Sequence, residues 1–318
     1  MMKLVYSLGA VVAAGSVSLI PIGGEAHAVT DESADSVDMS ALSPAKPSRE
    51  LRLLFIHHSV GGQLFSNPGE RKDVADSIHL SHENGGGLRQ SLEEFGYEVH
   101  EASYGSRIGQ DTDLFDWLPK FRNDMALILS TDENDRPYGD ARKNDIVMFK
   151  SCYPNNKFTS EGDGPGDPAG PELTLVNAQA SLLALLAETR KHPDRLFVYL
   201  TAPPNAGKFD SEPLVKWLAK KLLRKPSTAE VHAKRARLAR QFNNWVKSPT
   251  GWLKGYELKN VAVFDYYDIL TNHGETDLSA FPSGDGADSH PNREGQQRAA
   301  ADIGPFVNRA VRRSGLSE

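Results

Sequence analysis

Five short apolar runs, each separated from the next by a helical pattern, constrain the fold of this chain more than any other feature. The first run is apolar enough to form a strand buried on both faces of a sheet. The runs lie at residues 51–56, 97–102, 145–150, 196–201 and 261–265. Their lengths are typical of strands, and their spacing leaves room for a helix between successive strands.

The segments between the runs have the patterns of helices. Ser227 with Glu230 three residues later is a capping box, which indicates a helix start. The helical segments are 88–95, 114–121, 173–190, 227–246 and 294–312. Strands separated by helices pair in parallel through right-handed crossovers, so the order predicts a three-layer α/β/α sandwich around a parallel sheet of about five strands. Residues 67–83 and the Gly- and Pro-rich 155–171 are interpreted as insertions near the binding edge.

The amino terminus has the composition of a cleavable leader. Residues 1–28 contain Lys3, an apolar stretch interrupted by proline and glycine, and a final Ala26-His27-Ala28. These features predict a signal peptide rather than a membrane anchor. Residues 29–48 are polar and acidic, which predicts a disordered tether. Residues 49–318 are then expected to form a single α/β domain, and the protein is expected to be secreted or periplasmic.

Composition excludes several classes of protein. The 318 residues include 36 Lys and Arg against 42 Asp and Glu, a net charge of −6 that argues against nucleic-acid binding. The single Cys152 excludes an intrachain disulfide and a cysteine-rich zinc site. A mean hydropathy of −0.45 argues against a polytopic membrane protein, so no stable membrane insertion is expected.

Two short blocks at opposite ends of the domain contain the residues of nucleophilic catalysis. His57-His58-Ser59 follows the first strand directly and precedes Gly61-Gly62, a turn that would present a hydroxyl and a backbone N–H at the sheet edge. Asp288-Ser289-His290-Pro291 lies just before the last helix. A histidine at such a junction is well placed to deprotonate a serine, so the pair predicts acyl transfer.

With a glycine loop after the second strand and an asparagine loop after the third, this order of motifs resembles the SGNH (GDSL-like) hydrolases over roughly residues 51–310. The resemblance implies a flavodoxin-like fold, Ser59 as nucleophile and His290 as base. It also implies an oxyanion hole built by the N–H of Ser59, the N–H of Gly109 and the amide of Asn155. Gly105 is an alternative to Gly109, and Asn156 or Ser151 is an alternative to Asn155. His57-His58 stands where the family has Gly-Asp.

The acid of the site departs from the family pattern. The family places it three residues before the histidine, where this chain has Ala287. Asp288 is our choice for the residue that orients His290. Asp285 and a backbone carbonyl remain alternatives.

Two neighbouring histidines and an arginine are candidate substrate-binding residues. His57 and His58 either contact substrate or are ordinary packed and surface histidines, and Arg107 either binds a substrate carboxylate or forms a salt bridge. A metallohydrolase is a weaker alternative. His79 and His82 have helix-face spacing, but the chain has no His-Glu-x-x-His signature, so neither a metal nor a cofactor is expected.

Residues 216–240 form a basic stretch, with nine Lys or Arg and one acid, Glu230. The simplest interpretation is a solvated helical face. The functional alternative is a platform for an acidic polymer such as a uronic-acid polysaccharide. Cys152 is interpreted as a small residue that fills a loop near the site.

These observations together predict a secreted serine esterase of the SGNH type that removes O-acyl groups, most simply acetyl, from a carbohydrate or polysaccharide. One alternative is a polysaccharide lyase or other carbohydrate-active enzyme on the same fold, with His57, His58 and His290 as acid and base. Another is a non-catalytic glycan-binding envelope protein. Fold alone does not choose among them, because function belongs to the site.

Overall fold

The computed structural model describes residues 38–132, 135–208 and 213–316, so the expected leader at 1–28 lies outside the described residues. Its central sheet has five parallel strands in the order β5-β1-β6-β7-β8. The strands are β1 Leu51–Ile56, β5 Tyr97–Ala102, β6 Ile146–Lys150, β7 Leu196–Leu200 and β8 Val261–Phe264. All five predicted strands are present within one residue of the predicted bounds, and the predicted parallel α/β fold is confirmed.

Helices cover both faces of this sheet. The helices are α1 Val60–Phe65, α2 Leu88–Glu94, α3 Trp117–Ser130, α4 Leu175–Thr189, α5 Leu214–Leu222, α6 Thr228–Lys247, α7 Tyr266–Leu270 and α8 Arg293–Ser314. The segment predicted at 114–121 begins three residues later than expected and extends to Ser130. The short α1 and α7 and the whole of α5 were not predicted. α1 and α7 have only six and five residues, too few to show a helical repeat, and α5 has no buried apolar side chain among its described residues.

Two apolar cores lie on opposite faces of the sheet because successive side chains of a strand alternate between its faces. Leu54 and Ile56 of β1 point into a core shared with α3, α4 and α6. Leu53 and Phe55 point into a core shared with α1, α2 and α8. Every residue of β1, β6 and β7 is buried, as their apolar sequences predict.

The segment predicted as an insertion at 67–83 has regular structure. It forms a small sheet in the order β2-β4-β3, from β2 Asn67–Pro68, β3 Lys72–Ala75 and β4 Ile78–His82. A second small ladder pairs β9 Pro282–Ser283 with β10 Asp288–Pro291. His290 lies on β10 of this ladder.

The expectation of a disordered tether is wrong for residues 38–48, which pack against α8. Met39 is buried. The amide of Asn308 donates to the carbonyl of Pro44 over 2.7 Å, and Arg312 donates to the carbonyl of Ala45 over 2.6 Å. The polar side chains of α8 therefore satisfy the backbone of a segment that composition alone marks as unstructured. No helix among the described residues is long and apolar enough to cross a membrane.

Candidate active site

Ser59 lies at the carboxyl end of β1, in a backbone conformation that side chains rarely adopt, with φ +20° and ψ −81°. The turn is compact because Gly61 donates its N–H to the carbonyl of His58 over 2.8 Å. A Cβ at Gly61 would lie 2.4 Å from the Cβ of His57, so only glycine fits there. The turn therefore holds the Ser59 hydroxyl at the edge of the sheet in a defined position.

His290 and Asp288 lie on β10 and meet Ser59 across the sheet edge. Nε2 of His290 is 3.3 Å from Oγ of Ser59, and Nδ1 of His290 is 2.6 Å from Oδ1 of Asp288. The backbone N–H of His290 also donates to Oδ1 of Asp288, over 2.9 Å. The three side chains form the serine–histidine–acid chain of hydrogen bonds that activates a nucleophile.

The carboxyl group that is hydrogen-bonded to the imidazole of His290 is that of Asp288, not that of Asp285. Partial burial opposes ionisation of Asp288, but hydrogen bonds from the His290 backbone and imidazole outweigh it and lower the pKa of Asp288. Asp285 instead forms an ion pair with Lys208. A changed turn thus lets an acid two residues before the histidine reach the ring.

The two oxyanion donors that the resemblance adds to Ser59 are occupied by protein acceptors. The Gly109 N–H donates to Oγ of Ser106 over 2.9 Å. The Asn155 amide donates to Oδ1 of Asp113 over 2.7 Å, and Asn155 Oδ1 accepts the N–H of Leu114 over 2.6 Å. Among the described residues, only the third donor, the Ser59 N–H, lacks an acceptor.

Two of the three alternative donors, Asn156 and Ser151, are also hydrogen-bonded within the protein. The buried Asn156 amide donates to the carbonyls of Ala202 and Pro203 over 2.8 and 3.0 Å. Ser151 is fully buried, and its Oγ accepts the indole N–H of Trp117 over 2.9 Å. Gly105 has a φ of +89° in an open turn. In this structure, the side chains of Asn155 and Asn156 therefore hold their loop in place through hydrogen bonds.

His57 does not contact solvent, which contradicts the prediction that it binds substrate. It is 0% exposed, and its Nε2 is 2.7 Å from Oε2 of Glu101. Glu101 also pairs with Arg89. Burial lowers the pKa of His57 even though Glu101 favours the proton. The alternative interpretation as a packed histidine fits the structure.

His58 is half-buried and joins β1 to the Gly109 loop. Its Nε2 is 2.6 Å from the carbonyl oxygen of Gly109, and its ring stacks on Tyr104 with centroids 3.6 Å apart. Burial lowers the pKa of His58 to about 4, so the ring is neutral at pH 7 and Nε2–H donates to the carbonyl. His58 therefore positions the loop that was expected to supply an oxyanion donor.

Arg107 forms the salt bridge that was its structural alternative. The guanidinium pairs with Asp124 on α3 and is largely exposed. Its backbone N–H donates to Asp135, as does that of Ile108, the latter over 3.0 Å. These contacts give Arg107 a role in fixing the loop, and none of them involves Ser59 or His290.

Ser59 and His290 have two further direct neighbours, Cys152, which the sequence placed near the site, and Tyr153, which it did not. Sγ of Cys152 is 3.4 Å from Oγ of Ser59, and the ring of Tyr153 meets His290 edge-on with centroids 5.3 Å apart. Both follow β6, the strand beside β1, so residues just after the two strands meet at one edge. That adjacency placed Cys152 near the site from the sequence, and it is the signal that could have placed Tyr153 there as well.

A row of ionisable groups lies beneath the site on one face of the sheet. Glu101, His57 and Lys150 come from the neighbouring strands or strand ends of β5, β1 and β6. Lys150 is fully buried, and its Nζ has no hydrogen-bond partner in the described part of the chain. Burial lowers the pKa of Lys150, which favours the neutral amine.

The described residues contain no group of three or more His, Cys, Asp and Glu side chains arranged to hold a metal. His79 and His82, which have helix spacing in the sequence, lie on strand β4. Nδ1 of His79 is 2.7 Å from Oδ1 of Asp73. His79 and His82, whose spacing suggested a pair of metal ligands on a helix, therefore belong to a strand of the small sheet.

The fold resembles two solved structures of carbohydrate esterases. One is a carbohydrate esterase family 2 enzyme with a carbohydrate-binding domain from Corynascus thermopiles (Myceliophthora fergusii), 12% identical with a TM-score of 0.37, covering 84% of this chain and 67% of that one. The other is a carbohydrate esterase whose active site has divergent catalytic and non-catalytic binding functions, 15% identical with a TM-score of 0.35, covering 82% and 69%. No family model matches the chain, and no curated protein matches it. The function must therefore be argued from the site.

Proposed function

We propose that this protein is a serine hydrolase of carboxylic esters, with Ser59 as nucleophile, His290 as general base and Asp288 as the residue that orients the imidazole. The observation that carries the proposal is the continuous hydrogen-bonded chain from Ser59 Oγ through His290 to Asp288. Asp288 accepts from Nδ1, which leaves Nε2 unprotonated and facing the hydroxyl. The order of donors and acceptors is the one that proton removal from Ser59 requires.

The reaction follows from these positions. His290 Nε2 takes the Ser59 proton as Oγ attacks the ester carbonyl, and the Ser59 N–H stabilises the developing oxyanion. The imidazolium then returns the proton to the departing alcohol, which leaves an acyl-serine. Water attacks this ester with His290 as base again, and release of the acid restores Ser59.

Gly109 and Asn155 serve as further oxyanion donors only if they exchange their present acceptors for the substrate oxygen. Each donor in such a site is worth roughly 3–4 kcal/mol of transition-state stabilisation. The Gly109 N–H would leave Ser106 Oγ, and the Asn155 amide would leave Asp113 Oδ1. Ser59 N–H needs no such exchange, so we assign it the principal role.

The proposed substrate is an O-acylated carbohydrate, with acetyl as the acyl group. The ring of Tyr153 beside His290 offers an aromatic surface of the kind on which sugar rings pack. Burial of His57 and the bond of His58 to the Gly109 carbonyl argue against the lyase alternative, which requires both rings at the substrate. Export remains part of the proposal and rests on the leader-like residues 1–28.

The test compares the wild-type protein with Ser59→Ala on a small activated acetyl ester, an acetylated polysaccharide and a uronic-acid polysaccharide. Acetate release and new unsaturated chain ends are measured in parallel. We expect acetate release by the wild type and a loss of roughly 10³-fold or more in Ser59→Ala. Ser130→Ala is the matched control, because its hydroxyl bonds only within α3, to the carbonyl of Ala126.

Each outcome separates the proposal from its alternatives. Acetate release that persists in Ser59→Ala would exclude the serine mechanism. Unsaturated ends without acetate would indicate a lyase. Glycan binding with no turnover in the wild type would indicate a non-catalytic envelope protein.

A further inference from the structure

Helix α5 is amphipathic, but its apolar face is turned to solvent. At about 100° per residue, its aliphatic side chains fall on one side of the helix. Leu222 is 86% exposed and Val215 is 80% exposed, and no described side chain of α5 is buried. The exposed apolar residues of the helix and its carboxyl end are Leu214, Val215, Trp217, Leu218, Leu222 and Leu223. A helix of an ordinary soluble domain directs such a face into the core.

Basic residues flank this apolar face. The segment 213–226 contains five Lys or Arg and no Asp or Glu, although the whole chain has a net charge of −6. Lys221, Arg224 and Lys225 are exposed, and together with Trp217 they line a surface groove between α5 and the start of α6. The ammonium of Lys221 lies 4.9 Å from the centre of the Trp217 ring. Positive charge is therefore concentrated beside the exposed leucines.

We propose that α5 is an interfacial helix that binds the surface of a bilayer containing anionic lipids. Its leucines and valine enter the boundary between head groups and acyl chains, and its basic residues contact the lipid phosphates. Trp217 lies among the basic residues, with the Lys221 ammonium over its ring, and tryptophan is enriched at the interface between membrane and water. The helix lies on the membrane and does not cross it, since nine residues are too few to span a bilayer.

A lipid surface fits α5 better than an acidic polysaccharide or a second copy of the chain. A polysaccharide would neutralise the basic residues, but it would leave the aliphatic side chains of Leu214, Leu218 and Leu222 in water. A second copy would bring two basic helices together without an acidic partner on either. Only a surface that is both anionic and apolar satisfies both faces of the helix.

The position of α5 in the chain connects membrane binding to the edge that carries the candidate site. The helix follows β7, whose carboxyl end lies at the same sheet edge as that of β1. In the connecting segment, the N–H of Ala206 donates to Oγ of Ser289 over 2.9 Å. Ser289 adjoins His290, so the chain at Ala206, in the described part of this connection, is held to β10.

The experiment measures sedimentation of the full chain with vesicles of phosphatidylcholine alone and with added phosphatidylglycerol. We expect binding to the anionic vesicles, weakened by roughly tenfold or more in Leu218→Asp. Leu183→Asp on α4 is the matched control, because Leu183 is 49% exposed and Leu218 is 51% exposed. The control is expected to bind within about twofold of the wild type. All variants share the same amino terminus, so its contribution to binding cancels.

Charge and fluorescence provide two independent readouts. The triple variant Lys221→Glu, Arg224→Glu, Lys225→Glu should lose the preference for phosphatidylglycerol, and added salt should weaken wild-type binding. Trp217 emission should shift to shorter wavelength on binding, and Trp217→Phe should remove the shift. Trp117 and Trp252 are fully buried already, and the partly buried Trp245 packs against the core.

Three results would overturn the proposal. The first is equal binding of Leu218→Asp and Leu183→Asp to anionic vesicles. The second is retention by a uronic-acid polymer with no binding to vesicles. The third is a concentration-dependent dimer that Leu218→Asp dissociates. Circular dichroism and thermal unfolding of each variant establish that the fold is retained.

Discussion

Nε2 of His290 lies 3.3 Å from Oγ of Ser59, although 231 positions separate the two residues in the chain. The contact forms because Ser59 follows β1, the second strand in the sheet order, and β10 carries His290 over the same edge just before α8. Parallel sheets gather the ends of distant segments in this way. The contact is therefore a consequence of the sheet topology. Asp288, on the other side of the His290 ring, is the next residue to test.

Asp288→Asn is expected to lower kcat for ester hydrolysis by roughly 10²–10⁴-fold, with KM little changed. The amide would donate to Nδ1 or hold the wrong tautomer, so Nε2 would carry a proton and could not accept one from Ser59. Steady-state kinetics on a small acetyl ester measure the effect. Asp285→Asn is the matched control, because Asp285 pairs with Lys208 and is expected to leave kcat unchanged. Equal losses in the two variants would contradict the assignment of Asp288.

The strands could be predicted because apolar runs buried on both faces admit few other structures. The sequence also indicated which loops meet, since β1, β5 and β6 end at one edge. It could not indicate hydrogen-bond partners within those loops. Asn155 has the residue type of an oxyanion donor, but Asp113 and Leu114 occupy its amide, and no local pattern shows that pairing.

The amino-terminal segment shows a second limit of composition. Residues 38–48 are too polar to form a core, yet Asn308 and Arg312 of α8 bind the backbone carbonyls of that segment. The hydrogen bonds use the backbone, which is the same for every residue type, so side-chain composition does not reveal them. Helix α5 is the opposite case, since its apolar residues suggest burial while the fold leaves them exposed.

Conversion of Cys152 to its methyl disulfide is expected to inactivate the proposed esterase. Its Sγ lies 3.4 Å from Ser59 Oγ, so even a small adduct would occupy the space of the acyl group. Methyl methanethiosulfonate should lower kcat/KM by roughly tenfold to a hundredfold, and a reductant should restore it. The chain has one cysteine, so the reagent has no second thiol to modify. Cys152→Ala should keep activity and become insensitive, and sensitivity of that variant would show that the reagent acts elsewhere.

The fold is expected to lose stability as the pH falls from about 6.5 to about 4, with His58 as one source. Burial lowers the folded-state pKa of His58, so the unfolded chain takes up the proton first over this interval and is favoured as the pH falls. The contribution is roughly 1–2 kcal/mol once the partial exposure of His58 is discounted.

Urea unfolding of wild type and His58→Gln across this range measures the contribution of His58 to the pH dependence of the free energy of unfolding. The glutamine can still donate to the Gly109 carbonyl but does not titrate, so the variant should show a shallower decline in the free energy of unfolding. Because His57 and the carboxylates are shared by both proteins, the difference between the two curves isolates His58. Identical slopes would show that its pKa is not displaced in the fold.

Lys150→Met and Lys120→Met are expected to change stability in opposite directions. Both lysines are buried, and burial lowers the pKa of each. Nζ of Lys150 has no hydrogen-bond partner among the described residues, whereas Nζ of Lys120 donates to the carbonyl of Ile108 over 2.9 Å and also to that of Gln110. Methionine has a similar length and no polar head, so it removes an uncompensated desolvation cost at Lys150 but leaves buried carbonyls without a donor at Lys120.

We therefore expect Lys150→Met to raise the free energy of unfolding by roughly 1–3 kcal/mol and Lys120→Met to lower it by a similar amount. Urea unfolding of the two variants at neutral pH measures both values. A stability loss in Lys150→Met would mean that its amine is paired in solution, through bound water or as a charge balanced by the Glu101 carboxylate two strands away. The activity of Lys150→Met then separates two roles for this buried lysine. If the variant is more stable and keeps full turnover, Lys150 only fills space in the core. If the variant is more stable but turns over more slowly, the Lys150 amine supports catalysis at a cost in stability.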